Sequence, residues 1–455
     1  MTATLGFPAV WLRHNCPCPD CRDPATGQRL VEITQISNVR VATVTAESAE
    51  CLEVTFTPGD HRSVFSRAWL AAHGDVTAGG SVEDDVSARR EAGNADAGDR
   101  GGVLGEGGGG RDAGDPRTED GKVLWRSSAP AAAAGVSAAV DRTSCLAAVP
   151  AAEWTAYLAD DAVRVSLLDA VARLGAGLLR GVPASAGMVT AVVDTFGYVR
   201  ETNYGRIFDV RVVADPANLA FTSRAIAPHT DNPYRDPVPT LQLLHCLRDA
   251  SSGGDTVLVD GFAAAAALRA ADPLSFGVLT ATPIPFSYVD KATSLTACQP
   301  LIALSPRSRI ACVRLNNRSM QPLRLPFDQA EAVYAAYQAW TEMVARPEFA
   351  LRLRLAPGDC LVFDNTRILH ARTAFSSPPA APPAAPPTAS APPSPAPTSP
   401  TPGTASTPAT ALTTGTSGAA GTTAAPAQRH LQGCYADLDG LLSTLAVLRR
   451  ARGAR

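Results

Sequence analysis

Residues 227–247 read APHTDNPYRDPVPTLQLLHCL, which sets His229 and Asp231 two positions apart just ahead of an apolar run. In an extended chain, side chains at i and i+2 point to the same face, so a His229 nitrogen and an Asp231 oxygen can reach one ion. The same pair could equally be ordinary polar residues at the mouth of a strand. What the rest of the chain brings to it decides.

Working outward, GGDTVLVDGF (253–262), RLRLAPGDCLVFDN (352–365) and RILHAR (367–372) are further short apolar or alternating runs, divided by Gly-Gly and Pro-Gly-Asp turns. PAAEWTAYLADDAVRVSLLDAVARLGAG (150–177) carries apolar residues at helical spacing and closes on glycines. FDQAEAVYAAYQAWTEMVARP (327–347) is a second helix, and the Val333, Tyr337 and Trp340 stripe reads as core rather than as a cofactor site. Short strands with tight turns and helices in the flanks predict an α+β protein built on an antiparallel sandwich or barrel, whose mouth can take a ligand.

Two tracts fall outside this pattern. Residues 73–121 have almost no aliphatic pairs, and 376–427 are built from Ala, Pro, Ser, Thr and Gly. Neither can bury enough apolar surface to offset its ordering entropy, so the first reads as a flexible linker and the second as a solvated, partly polyproline-like insertion. The folded parts are then an N-terminal module, 1–72, and a larger body, 122–375 resuming at 428–455. A net charge of −3 with mixed signs and no dense Lys/Arg patch argues against nucleic acid as a partner. No run of eighteen apolar residues and no signal-like start are present, which points to a soluble cytoplasmic protein, in preference to a mitochondrial one, with no membrane partner.

Of ten cysteines, Cys16, Cys18 and Cys21 cluster in NCPCPDC and the others are scattered. In a reducing compartment this spacing reads as a metal site, one ligand short of tetrahedral zinc. His14, Cys51, His61 and His73 could complete it. His61 is favoured because it follows a strand and a turn, whereas His14 is too near the cluster to tie down a loop. The alternative is an unmetallated thiol cluster or a transient disulfide.

The pair at 229 and 231 needs a third ligand. His245 lies inside an apolar run and reads as a satisfied core histidine, and His430 adjoins an arginine with another use. His370, near the end of a later strand, is the better candidate. Two histidines and one carboxylate on one octahedral face are the facial triad of non-haem Fe(II) oxygenases, with positions left for substrate and oxygen.

WLRHNCPCPDC, NYGRIFDV, the opening stretch, GGDTVLVDGF, PGDCLVFDNTRILHAR and RHLQGCYADLD together resemble the γ-butyrobetaine and trimethyllysine dioxygenases, a branch of the taurine dioxygenase-like Fe(II)/2-oxoglutarate oxygenases. The resemblance implies a distorted double-stranded β-helix (jelly-roll) with flanking helices, a small β-rich zinc module with Cys3His ligation, and hydroxylation driven by oxidative decarboxylation of 2-oxoglutarate with O2. It implies iron on His229, Asp231 and His370, and zinc on Cys16, Cys18, Cys21 and His61. Arg429 would pair with the distal carboxylate of 2-oxoglutarate, with Thr256 as an added donor. Ascorbate as reductant and a homodimer are further implications. In the family the arginine follows the second histidine closely, whereas here residues 376–427 intervene; closing a longer flexible loop costs only about 0.6 kcal/mol per doubling of length.

Tyr204, Phe208, Phe221 and Tyr435 match positions at which family members face a trimethylammonium group with aromatic rings. Asn218 and Asn316 match positions for the carboxylate end, and Asn232 stands where butyrobetaine enzymes have an aromatic residue. The resulting expectation is a hydroxylase of a small quaternary-ammonium acid, most simply γ-butyrobetaine to carnitine. The alternatives are a trimethyllysine or aminoalkylphosphonate hydroxylase, or a non-catalytic zinc-stapled binding protein that uses its Pro-rich tract as a ligand.

Overall fold

The computed structural model describes residues 6–46, 48–74, 118–119, 122–125, 149–213, 216, 218–250, 252–376 and 429–454. Most of the two low-complexity tracts, residues 75–117 and 377–428, lies outside the described residues.

The N-terminal part begins with the short helix α1 (Ala9–His14) and continues into an antiparallel sheet of β1 (Arg40–Ala46), β2 (Cys51–Thr57) and β3 (His61–Ser66). The body supplies α2 (Asp161–Leu174), β4 (Ala176–Arg180), β5 (Phe208–Val210), β6 (Ile226–His229), β7 (Leu241–Arg248), β8 (Thr256–Asp260), α3 (Phe327–Val344), β9 (Ala350–Leu353), β10 (Cys360–Asp364), β11 (Ile368–Arg372), β12 (His430–Ala436) and α4 (Leu438–Gly453). A large sheet runs in the order Ala151–Glu153, β4, β10, β7, β12, Val199–Arg200, with β5 also on β12; a small sheet runs β6, β11, β8, β9.

Period-two alternation assigns each residue of the central strands to a layer. Leu244 of β7 and Leu361 and Phe363 of β10 meet Leu258, Leu353 and Ile368 of the small sheet, forming the core between the sheets. Leu241, Leu243 and Val362 point the other way, onto Leu167, Leu168 and Val171 of α2 and Leu441 and Leu445 of α4. Both faces of the large sheet are therefore covered, and the apolar runs of β7 and β10 follow from that. Two facing, mostly antiparallel sheets with helices outside agree with the expected double-stranded β-helix. Where α2 feeds β4, Gly175 has φ +87°, and a Cβ there would stand 2.9 Å from Ile368, so the turn takes glycine on both grounds.

A third cluster joins the two parts of the chain. Trp11, Ile33, Phe56 and Phe65 of the N-terminal part pack in one core with Phe262, Val333, Tyr337 and Trp340 of the body, so the stripe on α3 is core. Polar contacts reinforce the seam: Trp11 Nε1 donates to the Leu323 carbonyl at 2.9 Å, and Arg29 donates to the carbonyls of Asn317 and Met320.

One expectation is corrected. His245 is fully buried on β7, but it is less well satisfied than expected: among the described residues neither ring nitrogen makes a hydrogen bond of normal geometry, and the Val182 backbone is the partner that approaches it. A strand interior supplies apolar neighbours and carbonyls already spent on the ladder, and burial lowers the imidazole pKa so that the ring stays neutral. Among the described residues, no helix is long and apolar enough to cross a membrane.

Candidate active site

The small sheet brings the triad together. β6 and β11 are antiparallel neighbours whose register places His229 directly opposite His370, with ring centroids 4.2 Å apart. Asp231 follows the end of β6, and its carboxylate reaches to 3.4 Å from His229 Nε2. One ligand atom from each of the three residues falls within 4.8 Å of the other two, as an ion bound by all three requires.

Neighbouring groups fix these side chains. His229 Nδ1 is 3.0 Å from the Ala227 carbonyl, which takes the Nδ1 proton and leaves Nε2 free as a ligand. Asp231 is clamped through its backbone by the Asn365 amide, which accepts from its N–H at 2.8 Å and donates to its carbonyl at 3.0 Å. Its Oδ2 accepts from Gln242 Nε2 and from the Tyr435 hydroxyl, each at 2.9 Å, so Oδ1 is the atom left for a metal. Burial would raise the Asp231 carboxyl, but its contacts with the two histidines and the hydrogen bond from the Tyr435 hydroxyl outweigh it and hold the group well below the usual carboxylate range. Burial first, then the other histidine, pushes His370 down to about 3, so it is a neutral ligand. The donor set, its protonation and its geometry fit a divalent metal with open coordination positions.

The triad opens into a cavity of about 410 Å³. Arg429, at the start of β12, lines it together with Thr256. The Gly-Gly turn ahead of Thr256 explains how the arginine gets there: Gly254 has φ +75°, and a Cβ would stand 3.0 Å from Arg429 Nε. Arg429 lies over the Phe375 ring at 5.5 Å, so the two ends of the long insertion meet beside the cavity. A second cavity arginine, Arg372, spends its terminal nitrogens on the carbonyls of Ala220, Thr222 and Arg224 and thereby holds that loop.

All the residues expected to contact substrate line this cavity. The rings form a connected wall: Tyr204 meets Phe208 at 6.3 Å, and Phe208 meets Tyr435 at 5.0 Å. Phe221 lines the cavity from the short turn after Asn218. Two further rings escaped the sequence reading. Tyr288 packs against Tyr204 at 5.6 Å and against Tyr234 at 5.2 Å, and the Tyr204 and Tyr234 hydroxyls are 2.9 Å apart. Tyr234 lies only five residues after His229 and could have been found from that proximity, whereas nothing local to Tyr288 marks it.

The asparagines are mostly committed. Asn218 Oδ1 accepts from Ala220 N, while Asn316 donates to the Thr230 carbonyl and accepts from Ser319 N. Asn232 is different: it adopts φ +56°, is buried, and neither amide atom has a partner among the described residues. Gln242 and Arg318 also line the cavity and were not anticipated.

A second cluster lies in the N-terminal part. His61 Nε2 is 3.3, 3.7 and 3.6 Å from the sulfurs of Cys16, Cys18 and Cys21. Tetrahedral zinc, with metal–sulfur near 2.3 Å and metal–nitrogen near 2.0 Å, requires N···S separations of about 3.5 Å. The sulfurs are also supported, Cys16 by the Ser63 hydroxyl at 2.8 Å and Cys21 by Arg13 at 2.9 Å. The other candidates are engaged elsewhere: His14 bonds Tyr334 and Asn317, His73 stacks on Trp69, and Cys51 sits in β2 opposite Ser66. The loop that follows Cys21 reaches the cavity, where Arg22 and Gln28 line the wall and Gln28 accepts from Leu219 N at 2.9 Å.

Comparison with known proteins agrees with this arrangement. Residues 143–382, more than half of the chain, match the profile of the family described as "Taurine catabolism dioxygenase TauD, TfdA family", and residues 2–71 match "Gamma-butyrobetaine hydroxylase-like, N-terminal". The chain is 28% identical to a gamma-butyrobetaine dioxygenase of Pseudomonas sp. (strain AK-1) over 98% of its length and 91% of that protein. It is 24% identical to the human gamma-butyrobetaine dioxygenase with the same coverage, and 26% identical to a trimethyllysine dioxygenase of Meyerozyma guilliermondii over 82% of this chain and 86% of that one.

Proposed function

The chain belongs to the TauD/TfdA dioxygenase family and is a 2-oxoglutarate-dependent dioxygenase, and on that premise we propose that it hydroxylates a small quaternary-ammonium acid, most simply γ-butyrobetaine. The observation that carries the substrate class is the ring wall: Tyr204, Phe208, Tyr234, Tyr288 and Tyr435 pack in sequence around the cavity onto which His229, Asp231 and His370 open. A trimethylammonium group cannot donate a hydrogen bond, so a pocket selects it by shape and by ring faces, at about 0.5–2 kcal/mol per contact. Relatives named for gamma-butyrobetaine and for trimethyllysine support the same class of head group.

The geometry supports the following residue roles. His229, Asp231 and His370 would hold iron(II), which supplies a site for oxygen activation coupled to decarboxylation of 2-oxoglutarate. Arg429 presents a planar guanidinium to the distal carboxylate of 2-oxoglutarate, with Thr256 beside it. Gln242 and Tyr435 occupy the outer oxygen of Asp231 and keep the inner one aimed at the metal position. The hydroxyl of Tyr435 thus serves the metal side while its ring serves the wall. Cys16, Cys18, Cys21 and His61 would hold a structural zinc.

Succinate release with a panel of trimethylammonium acids tests the reading, with the neutral tert-butyl isostere of γ-butyrobetaine as the control. The acid should turn over, and the isostere should need a higher concentration by roughly 2- to 30-fold, the equivalent of one cation–π contact. Tyr204→Ala should raise the apparent constant for the acid and leave that for 2-oxoglutarate unchanged. Equal use of acid and isostere by wild type and variant would make the rings barrel core and move the substrate outside this class.

A further inference from the structure

Four guanidinium groups line the cavity, from Arg22, Arg318, Arg372 and Arg429, and Arg22 donates to the Gly27 carbonyl of its own loop at 3.1 Å. Arg372 is consumed by three backbone carbonyls, and Arg429 faces the 2-oxoglutarate end beside Gly254 and Thr256. Arg318 has no such commitment: it makes no hydrogen bond or ion pair among the described residues, and its Nη1 is buried without a partner.

Its position is nonetheless fixed. Thr230, the residue between two triad members, donates from its backbone to the Leu315 carbonyl at 2.8 Å, accepts from Leu315 N at 3.2 Å and from Asn316 Nδ2 at 3.1 Å. Arg318 follows two residues later, so its base is tied to the metal-ligand segment. Asp231 and Glu32 are the carboxylates whose charges act on it, and the Tyr204 and Tyr234 hydroxyls lie in the same field. Arg318 also lines a smaller cavity of about 260 Å³ that Glu32 shares.

Resting on the reading of the cavity as a quaternary-ammonium acid site, we propose that Arg318 receives the carboxylate end of the substrate. A guanidinium nitrogen buried without a partner is costly, and a ligand that supplies acceptor oxygens removes the cost. The asparagines expected to do this work are occupied, Asn316 at both amide atoms and Asn218 at its carbonyl oxygen. A cationic side chain near the ring wall also acts as a filter. It repels a ligand that carries only the trimethylammonium charge, and it attracts a zwitterion whose other end is anionic.

The experiment measures apparent constants for γ-butyrobetaine and for its neutral carboxamide with the iron-loaded full-length enzyme, using wild type, Arg318→Gln and Arg318→Lys. Wild type should prefer the acid. Arg318→Gln should weaken the acid by roughly 10- to 100-fold, leave the amide nearly unchanged, and leave the 2-oxoglutarate constant where it was. Arg318→Lys should keep part of the preference, because it retains charge without the fork. Equal losses for acid and amide in Arg318→Gln would mark Arg318 as structural and overturn the proposal. So would a wild type that takes acid and amide alike, which settles the matter even where the glutamine variant does not fold. In both cases the quaternary-ammonium reading survives. A wild type that binds neither ligand removes the substrate class and the role of Arg318 together.

Discussion

The two metal-type clusters in this chain are built on opposite plans. Cys16, Cys18, Cys21 and His61 form a closed set of four, three of them from one tight loop, with all four atoms within 4.8 Å. His229, Asp231 and His370 form an open set of three, gathered from two neighbouring strands of one sheet and the bend just after the first, and their free side is a cavity of about 410 Å³. Four ligands with no free position suit a metal that only holds the chain; three ligands facing a cavity suit one that must also meet substrate. The supporting contacts differ accordingly. Ser63 donates a hydrogen bond to one sulfur and Arg13 sets a positive charge against another, whereas Gln242 and Tyr435 aim one carboxylate oxygen and Asn365 holds its backbone.

The sharpest way to break this contrast is to remove an open-site ligand. His229→Ala or Asp231→Ala should abolish succinate release, a larger loss than the roughly 10- to 100-fold that follows removal of an outer partner, while zinc content by metal analysis stays the same. Retained turnover in either variant would end the assignment of the triad.

Arg429→Ala comes next. Loss of a charge-assisted pair costs about 1.5–3 kcal/mol, which is roughly 10- to 150-fold in the constant for 2-oxoglutarate. Titration of 2-oxoglutarate against metal-loaded protein reads this directly, and an unchanged constant would place the cosubstrate elsewhere.

Tyr435→Phe separates the two jobs of one side chain. It keeps the ring beside Phe208 and deletes the bond to Asp231, so iron affinity should fall by about 10-fold, the lower end of outer-partner effects, with the tert-butyl discrimination preserved.

At the closed site, Cys18→Ser should release zinc and leave iron bound. Because the loop after Cys21 contributes Arg22 and Gln28 to the cavity wall, the substrate constant should rise about 3-fold, the low end of single-contact effects, with little change for 2-oxoglutarate. If zinc stays, the Cys3His set is wrong.

The smallest effect should come from replacing residues 377–428 by a short Gly/Ser link. Phe375 and Arg429 already meet at 5.5 Å, so the 2-oxoglutarate constant should move by no more than about twofold. A large loss in a folded variant would show that the insertion takes part in the site.

Sequence alone determined what short-range patterns can carry. The spacing of Cys16, Cys18 and Cys21 and of His229 and Asp231 marks each set as a candidate ligand group, because residues two or three positions apart stay within reach of one ion. The glycines of GGDT mark the turn beside Arg429 for the same local reason. Tertiary structure alone decided which distant residues meet. The β6–β11 register sets His370 opposite His229, and the pairing of β7 with β12 carries Gln242 and Tyr435 to the same oxygen of Asp231. Tyr288 reaches the ring wall from a hairpin that has no local signature, and Arg318 stays uncommitted among the described residues while Arg372 is spent on carbonyls 150 residues earlier in the chain and Arg22 on Gly27. Long-range pairing is settled by the burial of both faces of a sheet, a property of the assembled layers that no short segment contains.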